Sequence, residues 1–382
     1  MSSIPLDYET LRLIWWALLG IILIGFAVLG GRDLGVGALL PFAARTDAER
    51  RLLLNLVGPT WEGNQVWLIV GGAAIFAAFP PLYAVSFSGF YLAMILVLLA
   101  LILRPVGFKY RGKLKDARWR AVWDWVLFIG GFVPALVFGV ALGNAFVGAP
   151  FALDDSMRIS YSGNLFGLFA PFAVLCGLVS VTMILAHGGA VIAGRTEGAI
   201  AERARNYGMI AALATIVLFA LGGLWAAFGL DGYVVTQATD PGSAIDPLSK
   251  TVELQRGAWL GNYGRYPWMM IAPVLGFAGM LLAILGFRLR LGFGTLLSTS
   301  IGLFGIVATA GLSLFPFLLP SSTMPASSLT LWDATSSQLT LFIMLLVTGF
   351  FLPIILIYTS WIFYIMRGPV SAESIDKNPN AY

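Results

Sequence analysis

Cysteine occurs once in this 382-residue chain, as Cys176, and histidine occurs once, as His187. A single cysteine excludes an intrachain disulfide and any cysteine metal cage. A single histidine excludes a bis-histidine haem or a three-histidine zinc site built by this chain alone. One histidine–methionine haem stays arithmetically open, because there are 11 methionines. Charge is the third scarcity. Asp, Glu, Lys and Arg make up 11% of the residues, against about 25% in a soluble protein. That is too little polar surface for a water-facing globule of this length, so a soluble enzyme is excluded. The net charge of +4 does not point to nucleic acid, since basic residues in a membrane protein mostly report topology. No nucleic-acid partner is expected.

What the chain has instead is apolar length. Hydrophobic residues make up 59% of it and the mean hydropathy is +0.87. A bilayer core about 30 Å thick needs about 20 apolar residues per helix. Nine stretches reach that length, roughly 12–31, 53–79, 83–103, 122–145, 164–186, 206–229, 268–287, 293–317 and 337–365. Transmembrane β-strands would alternate apolar and polar residues, whereas these runs are apolar all round. The expected fold is all-α, a single polytopic membrane helix bundle over residues 1–382. Phe79-Pro80-Pro81 breaks the second run from the third. No basic leader with a small-residue cleavage pattern precedes the first run, which reads as an uncleaved helix.

Nine spans place 18 of the 23 Lys and Arg residues on one side. The other side holds only Arg12, Arg158, Lys250, Arg256 and Arg265. The positive-inside bias therefore puts the N-terminus outside and the C-terminus in the cytoplasm. The longest external connection, about 230–267, carries turn chemistry at Asp231-Gly232-Tyr233 and Asp240-Pro241-Gly242. With Trp259, Tyr263 and Tyr266 it reads as ordered by turns and aromatic packing.

Charged groups inside a span cost about 2.5–3.5 kcal/mol on insertion scales. Glu62 is the clearest, in Trp61-Glu62-Gly63-Asn64-Gln65-Val66-Trp67, nine residues or roughly 13 Å into the second run. Two readings are open: a protonatable relay fed from the cytoplasm, or a carboxylate fixed by a helix–helix hydrogen bond. Asp33 follows Gly30-Gly31-Arg32 at a span border, where a relay competes with simple solvation or pairing with Arg32. Arg104 ends the third run and reads as a relay partner or a positive-inside anchor. Asp124, between Trp123 and Trp125, opens the fourth as a dipole partner. Ser336, Ser337 and Gln338 open the ninth, as caps or cross-helix bonds. His187 reads as a surface or packing residue at a span end.

Taken together, these segments resemble subunit II of cytochrome bd-type ubiquinol oxidases, nearly end to end. The likeness runs through Asp7-Tyr8-Glu9, Ile14-Trp15-Trp16, Asp33-Leu34-Gly35-Val36-Gly37 and the Trp61–Trp67 motif. It continues through Phe87-Ser88-Gly89-Phe90-Tyr91, Arg104-Pro105-Val106-Gly107-Phe108, Asp231-Gly232-Tyr233, Phe315-Pro316-Phe317, Pro320-Ser321-Ser322-Thr323 and Trp332-Asp333-Ala334-Thr335-Ser336-Ser337. The resemblance implies a complex of the bacterial inner membrane that oxidises quinol at the outer face, reduces dioxygen to water and draws protons from the cytoplasm. It implies that haems b and d are ligated by a haem-bearing subunit I, with no cofactor ligated by this chain alone. Other implied partners are quinol, dioxygen, membrane lipid and a small single-span accessory subunit. The family's carboxylate in the Trp-acidic-Gly-Asn motif falls on Glu62, on a cytoplasmic proton path at the subunit interface. Trp67 matches a position on the dioxygen route, and Tyr382 a C-terminal tyrosine near the proton entrance. The family usually reads Asp-Gly-Phe-Asp at 30–33, where this chain has Gly30-Gly31-Arg32-Asp33; Asp33 lacks its companion acid. Two other readings stay open: a proton-coupled secondary transporter with Glu62 as coupling acid, or a scaffold in which Glu62 only packs. Paired inverted repeats, expected of the former, are not seen.

Overall fold

A computed structural model describes residues 4–237, 246–366 and 368. Twelve helices carry the chain: α1 (Tyr8–Ala43), α2 (Asp47–Val57), α3 (Trp61–Ala78), α4 (Pro80–Gly89), α5 (Tyr91–Tyr110), α6 (Ala117–Val147), α7 (Pro171–Arg195), α8 (Gly198–Phe228), α9 (Gly261–Arg265), α10 (Ile271–Arg288), α11 (Gly292–Leu314) and α12 (Gln338–Ile365). Eight are long and apolar enough to cross a membrane, namely α1, α5, α6, α7, α8, α10, α11 and α12. α3, with its polar first turn, is less apolar than these eight. It runs antiparallel to α1: Asn64 bonds Asp33, Trp67 lies on Gly25, and the Ala77 and Ala78 carbonyls accept from Ser336, beside Tyr8. The helix bundle expected from the sequence is present, with eight membrane-length apolar helices among the described residues instead of nine and α3 packed along α1.

Its boundaries differ from the apolar runs in an instructive way. The run 53–79 is two helices, because Pro59 has no N–H to donate and Gly58-Pro59-Thr60 turns the chain between α2 and α3. The run 83–103 begins only at Tyr91; α4 stays at the Tyr8 end, where Gly89 abuts Tyr161. At the opposite end helices outlast their apolar runs. α1 continues to Ala43 and α7 to Arg195, since polar side chains there pair with one another and the backbone has no reason to unwind.

α7 is central, with 78% of its apolar window buried, and α12 is peripheral, with 6%. Close approach fixes α1 against α7. A Cβ added to Gly35 would lie 2.3 Å from the Ile184 carbonyl oxygen, and one on Gly188 would lie 2.3 Å from the Gly35 carbonyl carbon. Without a hydrophobic drive between helices in lipid, such backbone contact supplies the packing.

Three two-stranded antiparallel hairpins lie at the Tyr8 end: β1 (Phe151–Leu153) with β2 (Ile159–Tyr161), β3 (Asp231–Gln237) with β4 (Thr251–Arg256), and β5 (Phe317–Leu319) with β6 (Leu329–Thr330). Trp259 is buried under them, against Tyr233 and Phe317, and donates to the Phe146 carbonyl at 3.1 Å. Tyr263 bonds Ser313 Oγ at 2.8 Å, whereas Tyr266 is exposed. Asp240-Pro241-Gly242 lies outside the described residues. Ser337 caps α12 by accepting from Thr340 N, and Gln338 donates to the Leu6 carbonyl at 2.8 Å.

Two cations at this end are buried. Arg12 lies over the Tyr8 ring at 3.6 Å and donates to Thr335 Oγ1 at 3.0 Å. Lys250 pairs with Asp333 at 2.8 Å, and Asp333 also accepts from the Thr330 amide and hydroxyl. Burial pushes the Asp333 carboxyl above its usual range, against the pull of Lys250. Lys250→Met is expected to cost about 3–5 kcal/mol by leaving a buried carboxylate uncompensated. The thermal midpoint of the purified complex should fall accordingly, and adding Asp333→Asn should recover part of the loss. The orientation is checked separately: with the hairpin end outside, alkaline phosphatase fused after Met366 should be inactive and a fluorescent protein fused there should fluoresce.

Candidate functional site

Asp33 sits ten residues before the end of α1, so it is not the border residue the apolar run indicated. It is buried, and its Oδ2 accepts from Asn64 Nδ2 of α3 at 2.9 Å. Arg104 of α5 is buried too, rather than an exposed anchor, and its charge and that of Arg32 attract Asp33. Asp33 and Arg104 line one small cavity of about 10 Å³ between α1, α2, α5 and α6, roughly the room of one water. Asp33 Oδ1 and Arg104 Nη2 make no hydrogen bond with any described residue. One acceptor and one donor, on residues that line the same small cavity, therefore keep hydrogen-bonding capacity to spare. Arg104 has room there because α6 carries Gly130, where a Cβ would lie 2.4 Å from Arg104 Cγ.

Glu62 is placed differently from expectation. The break at Gly58–Thr60 makes it the second residue of α3 instead of a mid-span acid, at a helix N-terminus that favours negative charge. Its side chain is exposed on the surface of the bundle, while Asn64, two residues on, faces the opposite way into the bundle. Beside it, Trp61 Nε1 and Gln65 Oε1 are buried without a hydrogen bond. Trp67 is buried on the α1 face, and Tyr382 lies outside the described residues. The structure thus groups Asp33, Arg104 and Asn64, sets Glu62 on the neighbouring surface, and leaves Trp67 one turn deeper.

Below the cavity lies a layer of ion pairs. Arg111 meets Asp124 at 2.6 Å and Asp47 at 2.9 Å, Arg50 meets Asp124 at 2.7 Å, and Arg203 meets Glu49 at 2.5 Å. Asp124 is therefore a buried ion-pair acid instead of a simple dipole partner. His187 is fully buried rather than at the surface. Its Nδ1 is 2.8 Å from Thr299 Oγ1 and its Nε2 is 3.0 Å from the Val28 carbonyl. Both ring nitrogens are committed, so His187 does not fit an axial haem ligand. Among the described residues no three His, Cys, Asp or Glu side chains converge on a metal position. Asn64 and His187 were the residues whose roles hydropathy could not show; Asn64 had one sequence signal, its place beside an acid in a polar turn.

Residues 11–366 match the family model described as cytochrome bd terminal oxidase subunit II. The chain belongs to that family. It is 50% identical to "Cytochrome bd-I ubiquinol oxidase subunit 2" of Escherichia coli K12, over 98% of this chain and 99% of the relative. It is 46% identical to "Probable cytochrome oxidase subunit 2" of Haemophilus influenzae over the same shares. A chain of the bd oxidase from Geobacillus thermodenitrificans has the same fold, with a TM-score of 0.67 at 17% identity, covering 94% of this chain and 99% of that one. The chain is accordingly a component of a terminal oxidase, a multi-pass protein of the bacterial inner membrane.

The Arg104 socket is testable through its glycine. Gly130→Ala is expected to cost about 1–3 kcal/mol by overpacking, read as a lower thermal midpoint of the complex. Gly112→Ala, whose Cβ meets nothing within 4 Å, should leave the midpoint unchanged.

Proposed function

We propose that this chain is the non-haem-ligating subunit of a respiratory quinol:dioxygen oxidoreductase and carries part of its cytoplasmic proton path. One observation carries the reading: Asp33, held by Asn64, and Arg104 are the two ionisable groups lining a small, otherwise apolar cavity at the basic end of the bundle. Membrane-buried ionisable groups that pair within the bundle are the usual elements of proton relays. Asp33 accepts and releases the proton, Arg104 supports its charged form, and Asn64 holds the carboxylate toward the cavity. Glu62 joins this group to the partner surface. Its exposed position, beside the unsatisfied Trp61 and Gln65, fits an acid completed by a second chain.

The partner is a haem-bearing subunit I; the relatives' names call their chains subunit 2 of a cytochrome oxidase. It holds haems b and d, consistent with a lone histidine whose ring nitrogens are both engaged. Quinol is oxidised at the hairpin end, oxygen is reduced to water in the partner, and protons enter from the basic, cytoplasmic end. Trp67 lines the route of dioxygen, Tyr382 guards the proton entrance, and the exposed α12 meets lipid or a small accessory chain.

Purified complexes carrying Asp33→Asn or Glu62→Gln test the assignment. Quinol-driven oxygen uptake should fall roughly ten- to a hundredfold while the haem absorption spectrum and content stay at the parent level. Unchanged turnover in both would reduce this cluster to packing and leave the chain a scaffold.

A further inference from the structure

We propose that α2 is a lid over the Asp33–Arg104 cavity, held shut by ion pairs that open to admit protons from the cytoplasm. The inference rests on the proton-path reading only for its purpose; the lid itself is a property of the helix and its latches.

α2 has two unlike faces. Leu53, Leu54 and Val57 close the cavity on the cytoplasmic side, and all three are buried. Asp47, Glu49 and Arg50, near the start of the same helix, point to the surrounding helices as charges. Each end of α2 is a non-helical break, at Ala44-Arg45-Thr46 and at Gly58-Pro59-Thr60. A helix of 11 residues between two breaks moves as a unit more easily than a turn of a continuous span.

The latches reach three neighbours. Asp47 bonds Arg111 at the end of α5 at 2.9 Å and Arg120 of α6 at 2.7 Å. Arg50 bonds Asp124 of α6 at 2.7 Å, and Glu49 bonds Arg203 of α8 at 2.5 Å. Their arrangement limits the cost of opening. Arg111 and Asp124 are buried and already paired with each other across α5 and α6, at 2.6 Å and 3.3 Å. When α2 leaves, that pair keeps its own partner, and no buried charge is stranded. The groups that go with α2 are the wetter ones, with side chains 41% exposed for Asp47, 26% for Arg50 and 23% for Glu49. Water can reach the three groups that leave, while Arg111 and Asp124 are only 2% exposed, so each latch onto them exceeds the about 0–1 kcal/mol of a surface pair. The price of opening is the exposure of four apolar side chains, Leu53, Leu54, Leu56 and Val57, which returns the lid to its closed position.

The experiment uses the whole oxidase complex in inside-out membrane vesicles. Leu54→Cys is labelled with a membrane-impermeant maleimide, and the parent chain, with its own Cys176, gives the background. With latches intact the labelling should be slow; with Asp47→Asn and Arg50→Gln added it should be about tenfold faster. Leu53→Cys provides a second probe if the first variant fails to assemble. Equal rates with and without the latches at either probe would overturn the lid. The proton-path reading fails separately: if Asp33→Asn leaves oxygen uptake unchanged while labelling still accelerates, the lid stands and its purpose does not. Where both hold, bridging Glu49→Cys to Arg203→Cys with a bifunctional thiol reagent should lower oxygen uptake, and full turnover in the bridged complex would show that opening is not needed.

Discussion

A carboxylate below the level of the headgroups must find its stabilisation inside the protein, and the basic half of this bundle is arranged around meeting that demand for Asp33. Asn64 supplies a hydrogen bond and Arg104 and Arg32 supply opposite charge. Each supplier imposes a structural condition. Asn64 must sit near the start of α3, so the chain breaks at Pro59 and restarts there. Arg104 must lie against α6, so that helix presents Gly130. α1 must keep its helical hydrogen bonds past Asp33, so it runs to Ala43 through a segment that hydropathy alone would end. Removing the acid from this list would leave a break, a glycine and a buried arginine without a shared reason.

The two ends handle buried charge by the same rule with opposite consequences. At the hairpin end Lys250 and Asp333 are a closed pair: Asp333 takes two further bonds from Thr330, and the group is sealed under β-hairpins and aromatic rings. Nothing is left over, and the pair pins the connection after β3 to the loop before α12. At the basic end Asp33 keeps one free acceptor and Arg104 one free donor, and both residues line a small cavity. Completed networks rigidify; incomplete ones leave polar capacity for something that comes and goes. The contrast sets a fastening at one end against the proposed relay at the other.

Much of this was legible in the residues. Scarce charge and long apolar runs give the all-α membrane bundle, and Pro80 stands where two of the runs break. The aromatic order of the long external connection is also there, in Trp259 under its hairpins. What hydropathy could not convey was depth. Asp33 and Arg104 look like border residues because averages fall wherever charges cluster, yet charges that pair with one another do not end a helix. Glu62 erred in the other direction. It lies in an apolar run, but the run is two helices, and the break moves it from mid-span to a first turn facing outward. His187 looked terminal for the same reason as Asp33 and is instead held between α1 and α11. Pairing across helices is a three-dimensional fact, and a single sequence shows the partners without the pairing.

The departures at positions 30 and 32 flank a glycine, Gly31, that the usual pattern shares. Gly31 lies where a Cβ would meet Ile184 at 2.6 Å and His187 at 3.9 Å, so a small residue lets α7 bring its histidine against α1. Arg32, in place of an aromatic residue, stacks on Phe363 of α12 at 4.4 Å while its charge reaches Asp33. A second acid at position 30 would share Asp33's cations; its absence leaves both Arg32 and Arg104 to one carboxylate. The positive charge at this level is thus balanced against a single acid, and the peripheral α12 is tied to the α1 segment that bears it. The departure from the family pattern alters how Asp33 is compensated and leaves the helix that carries it in place.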